Sequence, residues 1–162
     1  MNRDQIIERL KNYFELYELV SPNVYNKYGE SAWYVFRTDT LHCLLIIREK
    51  LDKPIHINNW YFAKPGERVF DERGYRDNLS NIAEEKTLDG VLYLSGHVLG
   101  CAFDFHINGM SSTSVRNWIV ENGDLFPCKI RLERRLNGKP ISWVHFDTKH
   151  YVNNPKIYLF DV

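Results

Sequence analysis

Residues 95–105 read SGHVLGCAFDF, which sets His97 and Asp104 apart by six residues with Gly100 and Ala102 between them. Imidazole nitrogen and carboxylate oxygen are both good ligands for zinc, and a catalytic zinc site takes three protein ligands while keeping one position open for water. Six intervening residues are too many for one strand face or one helical turn. They suit a turn that leads into a strand and folds the two side chains back on one point. The third ligand must come from elsewhere. His145, in SWVHFD, is the best candidate, because the alternation of a strand there aims His145 and Trp143 to one face. Taken alone, the His-x6-Asp pair reads more readily as a satisfied polar pair at the start of a strand.

Periodicity supplies the frame. Residues 3–19 place Ile6, Ile7, Leu10, Phe14 and Tyr17 at helical spacing, which predicts a first amphipathic helix covering a sheet. Residues 21–31, with Pro22, Asn23 and Gly29, read as a loop. Thr38 and Asp39 are candidate caps for the apolar run LHCLLIIREKL, expected to be the central buried helix and to end near Asp52, before Pro54. Residues 55–60 read as a strand, 63–72 as an exposed loop and 78–85 as a short helical segment. Beyond them 91–94, 101–107, 128–134, 141–147 and 156–160 are β-prone, interrupted by a helix at about 111–121 with Val115, Trp118 and Ile119 facing inward. Helices first and mostly strands afterwards predict an α+β fold with a central antiparallel sheet and helices packed on it. Asn137-Gly138 is a hairpin signal, so 128–134 and 141–147 are expected to be adjacent antiparallel strands.

Composition narrows the class. A chain of 162 residues fits one domain spanning 1–162, and 44% hydrophobic with 26% charged residues excludes a disordered or repetitive chain. The 21 basic and 21 acidic residues cancel, which removes the positive field that phosphate-gripping proteins need, so no nucleic-acid partner is expected. Aromatics near Arg and Lys are all that speaks for one. Three cysteines, Cys43, Cys101 and Cys128, are an odd number without a CxxC pair, and read as buried thiols. The charged N-terminus lacks the apolar core of a secretory signal and no stretch is long enough to span a bilayer. No membrane insertion is expected, and the chain is read as cytoplasmic when synthesised and as a monomer.

The string SGHVLGCAFD resembles the SxHxxGxAxD signature of the D-Ala-D-Ala carboxypeptidase and phage endolysin family, the LAS-type zinc peptidases. WVH at 143–145 is similar to the later motif that supplies the third ligand, and GYRDNLSN at 74–81 looks like the GYR segment that precedes the signature. VYNKYGESAW is similar to phage-encoded cell-wall peptidase-like proteins. Three motifs in the right order are far more specific than any one. The resemblance implies a hedgehog/D-Ala-D-Ala-peptidase-like version of the α+β fold, forming a single zinc peptidase-like domain. It implies Zn2+ on His97, Asp104 and His145, with Arg76 reaching the substrate carbonyl or oxyanion and Ser95 contacting the substrate near its carboxylate. Read without the motifs, Arg76 is a solvated surface charge and Ser95 a turn residue. The implied substrate is a peptidoglycan stem peptide cut at a D-centre, met after release to the wall if the chain is an endolysin.

One departure bears on catalysis. Many members of that family carry an acidic general base three residues before the last ligand, where this chain has Ser142. A serine cannot take a proton from a metal-activated water at neutral pH. Glu133 is the expected substitute, since it lies on the strand paired with that of His145, and Asp147 is the reserve. For Glu133, among Arg131, Arg134 and Arg135, a cross-strand ion pair is nearly as good a reading, and a one-residue slip would turn it away. Ser142 also keeps open a catalytically impaired wall-binding or virion structural module. His106 is a candidate partner of Asp104, His42 a core residue, and Trp60, Tyr61, Phe62, Tyr75 and Trp143 candidates for a substrate groove, with Trp143 the residue assigned to substrate binding.

Overall fold

The computed structural model describes residues 1–149 and 153–162. Asn2 opens helix α1 (Arg3–Leu10) with a capping box to Gln5, but the helix is half the length that the apolar spacing predicts. The chain turns after Leu10 and re-enters the core through Phe14 and Leu16, the latter in a short 3-10 turn at Leu16–Glu18. Residues expected to be a loop form helix α2 (Pro22–Tyr28). Ser21 caps it through Val24 N, and Pro22 sits in the first turn, where its missing N–H is harmless. Helix α3 (Thr38–Leu51) is the buried helix anticipated, with Leu41, Cys43, Leu44, Leu45 and Ile47 inside. Arg37 rather than Thr38 occupies its cap position, and Asp39 accepts from Thr40 N within the first turn.

Strand β1 is only Ile55–His56. The predicted strand stops there because Asn58 and Asn59 commit their side chains to Val20 O, Arg68 O and Phe70 N, a competition that polar amides often win over a ladder. Helix α4 (Asn81–Leu88) follows, and the β-prone residues 91–94 form no strand: Val91, Leu92 and Leu94 are exposed. Strand β2 (Ala102–Ile107), helix α5 (Ser112–Glu121) and strands β3 (Ile130–Leu136), β4 (Lys139–Asp147) and β5 (Ile157–Asp161) complete the order. Asn137 and Gly138 both have positive φ, as the tight β3–β4 turn requires.

The class is α+β, with a five-stranded sheet ordered β1-β2-β4-β3-β5. It is mixed rather than antiparallel, because β5 runs parallel to β3, with Ile130 opposite Ile157. Only a short hairpin turn forces antiparallel pairing, and β5 is reached through the longer connection 148–156. Alternation divides the sheet cleanly. Phe103, Phe105, Ile130, Leu132, Val144 and Phe146 face a core shared with α1 and α3, while Asp104, Arg131, Glu133, His145 and Asp147 fall on the other face. Among the described residues no helix is long and apolar enough to cross a membrane.

Candidate metal centre

Register builds the site. His145 on β4 stands directly opposite Asp104 on β2 and Glu133 on β3, so three polar residues cross the sheet in one row. Trp143 and Asp147 flank His145 on the same face of β4. His97 arrives from above the sheet. The turn from Ser95 closes through Leu99 N to Ser95 O, Gly100 N to His97 O and Cys101 N to Gly96 O, delivering the chain into β2. Gly100 is required there: its φ is +65°, and a Cβ would lie 2.1 Å from Val35 O.

The six-residue spacing thus folds His97 and Asp104 together as expected. His97 Nε2 lies 3.3 Å from Asp104 Oδ2, and His145 Nδ1 lies 2.6 Å from Asp104 Oδ1. The ligand atoms of His97, Asp104 and His145 lie within 4.8 Å of one another, a group that can hold a metal ion. Each imidazole is also fixed by its second nitrogen. His97 Nδ1 donates to Gly74 O at 2.8 Å, which leaves Nε2 as its acceptor. His145 Nε2 faces Asp147 Oδ2 at 3.3 Å, which leaves Nδ1 turned to Asp104. Such outer partners orient a metal-binding imidazole and raise its basicity.

The segment 73–76 makes the first contact possible. Asp104 N donates to Arg73 O and Tyr75 N to Leu19 O, so this segment is pinned between β2 and the residues before α2. A Cβ on Gly74 would fall 1.8 Å from Leu19 O, so no other residue permits this approach. Arg76 follows at once. It donates Nε to Glu72 O, Nη1 to the Tyr93 hydroxyl and Nη2 to Asp104 Oδ2 at 3.4 Å, and is not the solvated surface charge of the alternative reading.

The cluster forms the floor of a cavity of about 650 Å3 whose walls include Ser95, Trp143, Glu133 and Lys86. Its charges are coupled. Burial disfavours the His145 imidazolium, but Asp104 and Asp147 outweigh that penalty and push it up to about 10. Asp104 is itself buried, yet His97 and His145 hold it well below the ordinary carboxylate range. His97, only 3% exposed, is pushed down by burial and stays neutral. Burial also raises Glu133, with the neighbouring Asp104 and Asp147 adding to the effect and His145 opposing it.

Other expectations are sorted by contact. Among the described residues the cross-strand ion pair weighed for Glu133 does not form: Arg131 pairs with Asp147 and Arg134 with Asp161. Asp147, the reserve base, is 1% exposed and its carboxylate accepts from Arg131, Lys149 N and His145, so it holds the site together rather than waiting for a proton. Ser142 is exposed and absent from the cavity wall, because a position three residues from His145 on a strand has the opposite parity. His106 shares Asp104's face yet turns to Arg73 Nη1 and stacks on His56, so it is no partner of Asp104. His42 is half-buried on α3. Of the groove aromatics only Trp143 lines the cavity, while Trp60, Tyr61 and Phe62 cluster with Tyr17 and Tyr25 elsewhere.

Two contributors gave no sequence signal, Tyr93 behind Arg76 and Lys86 on α4. The partnership of Asp147 with His145 was open to detection, since the two are spaced i, i+2 on one strand. No family model, curated protein or solved structure matches the chain.

Proposed function

We propose that this chain is a zinc-dependent peptidase acting on peptidoglycan stem peptides. The observation that carries the reading is the convergence of His97, Asp104 and His145 on a cavity floor, each imidazole with one nitrogen already engaged. Two imidazoles and one carboxylate are a borderline-soft donor set of the kind that suits zinc, and three ligands leave a position for water. When bound, zinc would act as a Lewis acid on the scissile carbonyl and make its water a stronger nucleophile at neutral pH.

The remaining roles belong to the chain. Glu133, opposite His145 and with no ion pair among the described residues, accepts the water proton on its carboxylate and returns it to the departing amine. Its raised affinity for a proton suits both steps. Arg76, held by Glu72 O and Tyr93, keeps its guanidinium beside Asp104 and can donate to the carbonyl oxygen as negative charge grows there. On the α4 wall Lys86 lines the cavity with no ion pair among the described residues, and with Ser95 it suits a carboxylate of the substrate. Trp143 supplies an apolar flank.

The test is zinc-loaded protein on purified peptidoglycan and on synthetic stem peptides, scored by new amino groups. Hydrolysis that disappears on chelation and returns with zinc is the expected result. Ser142 favours one alternative, a wall-binding or virion module of the same architecture that has lost turnover. That reading takes over if the protein binds zinc and sediments with cell walls while releasing no amines.

A further inference from the structure

On the helix-covered side of the sheet two thiols meet. Cys43 lies in the middle of α3 with no solvent exposure, and Cys128 lies two residues before β3, half-buried. Their sulfurs are 3.7 Å apart, across 85 residues of sequence. A disulfide needs about 2.0 Å between sulfurs, so bond formation must draw the two together from van der Waals contact. Cys101, the third cysteine, is buried in the turn ahead of β2 and is paired with neither.

We propose that Cys128 is a peroxide-reactive thiol and that Cys43 resolves it, forming an intramolecular disulfide between α3 and the start of β3. Access divides the labour, because an oxidant from solvent reaches Cys128 and not Cys43. Charge supports the same division. The hydrogen bond from Cys43 is the largest effect lowering the Cys128 thiol, with Lys156 and Arg37 assisting, while that bond and burial raise Cys43. The thiolate, not the thiol, is the nucleophile.

The chemistry balances with a hydroperoxide as co-reactant. The Cys128 thiolate attacks one oxygen, the O–O bond breaks, and the other oxygen leaves as water after taking up a proton, so Cys128 becomes a sulfenic acid. Cys43 sulfur then attacks that sulfur. The S–O bond breaks, and hydroxide departs as water with the Cys43 proton. Two thiols lose two electrons in all and one hydrogen peroxide becomes two waters. The product ties the central helix to the strand that carries Arg131 and Glu133. It closes a long loop, the situation in which a cross-link restrains the unfolded chain most.

The experiment treats the full chain with hydrogen peroxide, then denatures it without reductant and alkylates remaining thiols. One alkylated thiol, at Cys101, together with a mass loss of about 2 Da and a Cys43–Cys128 cross-linked peptide, is expected. The melting temperature should rise by several degrees and return on reduction. Cys43→Ala should halt the reaction at a sulfenic acid on Cys128 that a dimedone probe labels. Cys128→Ser, at a half-buried position, should leave Cys43 unmodified under the same treatment and covers the case in which Cys43→Ala does not fold. A disulfide through Cys101, a cross-link between two chains, or three free thiols after exposure sufficient to oxidise a free cysteine peptide would each overturn the proposal.

Discussion

Zinc binding at this site should be a proton exchange, and its size follows from the charges around His145. In the metal-free protein Asp104 Oδ1 lies 2.6 Å from His145 Nδ1 and Asp147 faces the other nitrogen, which is why the imidazolium persists up to about 10. A metal ion held by His97, Asp104 and His145 would have to displace one proton of the His145 imidazolium. His97 contributes no further proton, because burial already keeps it neutral. At pH 7 the His145 proton is bound roughly three units below its midpoint, so it should weaken apparent zinc affinity by about 10³, or about 4 kcal/mol. Affinity should therefore rise at least about tenfold per pH unit between about pH 7 and 9, with one proton released from His145 per zinc and a further fraction as the metal's water ionises. Competition against a chromogenic chelator measures the slope, and calorimetry in two buffers of different ionisation enthalpy counts the proton. An affinity constant to within about twofold over that range, once zinc hydrolysis is corrected for, would refute the reasoning, as would binding without proton release.

Glu133→Gln should keep zinc yet lower kcat by about 10²–10⁴, since an amide preserves shape but accepts no proton; full activity in that variant would move the base elsewhere. His97→Ala should abolish zinc binding while circular dichroism still reports a folded chain, because the core on the opposite sheet face does not depend on the ion; unfolding at room temperature would make the metal structural. Lys86→Ala should raise KM for a peptide with a free carboxylate beside the scissile bond and leave its amide analogue unaffected, whereas equal losses on both would remove Lys86 from recognition. Metal-free stability should be greatest at about pH 6.5, because the lowered His97 costs stability as pH falls below its unfolded value and the raised His145 loses its contribution above that value. The lowered Asp104 and Asp147 contribute above the unfolded carboxylate value and lose that contribution as pH falls through their folded values. The raised His145 contributes below its unfolded value and loses it as pH climbs to about 10. Thermal melts in chelator that stay level from about pH 6.5 to 9.5 would contradict this sign.

Local chemistry made part of the molecule legible in the sequence alone. The apolar run of α3 and the Asn137-Gly138 turn each follow from interactions within a few residues, and the structure contains both. The turn pairs Leu136 with Lys139, but a register shift between Glu133 and Arg135, which the turn residues do not signal, is what puts Glu133 opposite His145. The His97 and Asp104 pair was visible through its spacing and glycine. Elements whose form depends on distant partners were not. Residues 91–94 have strand composition but no neighbouring strand to pair with, and residues 55–60 lose their ladder to amide bonds with Val20 and Phe70. The parallel placement of β5 is decided by sheet-wide packing rather than by any signal in its own residues. The same holds for the outer partners of the metal cluster: Gly74 O reaches His97 only because the chain at 73–76 is pinned to Leu19 and Asp104. Residue type and local spacing determined which groups could do chemistry here. Contacts between residues far apart in sequence decided which of them meet, because an isolated side chain carries no information about the backbone that will stand across from it.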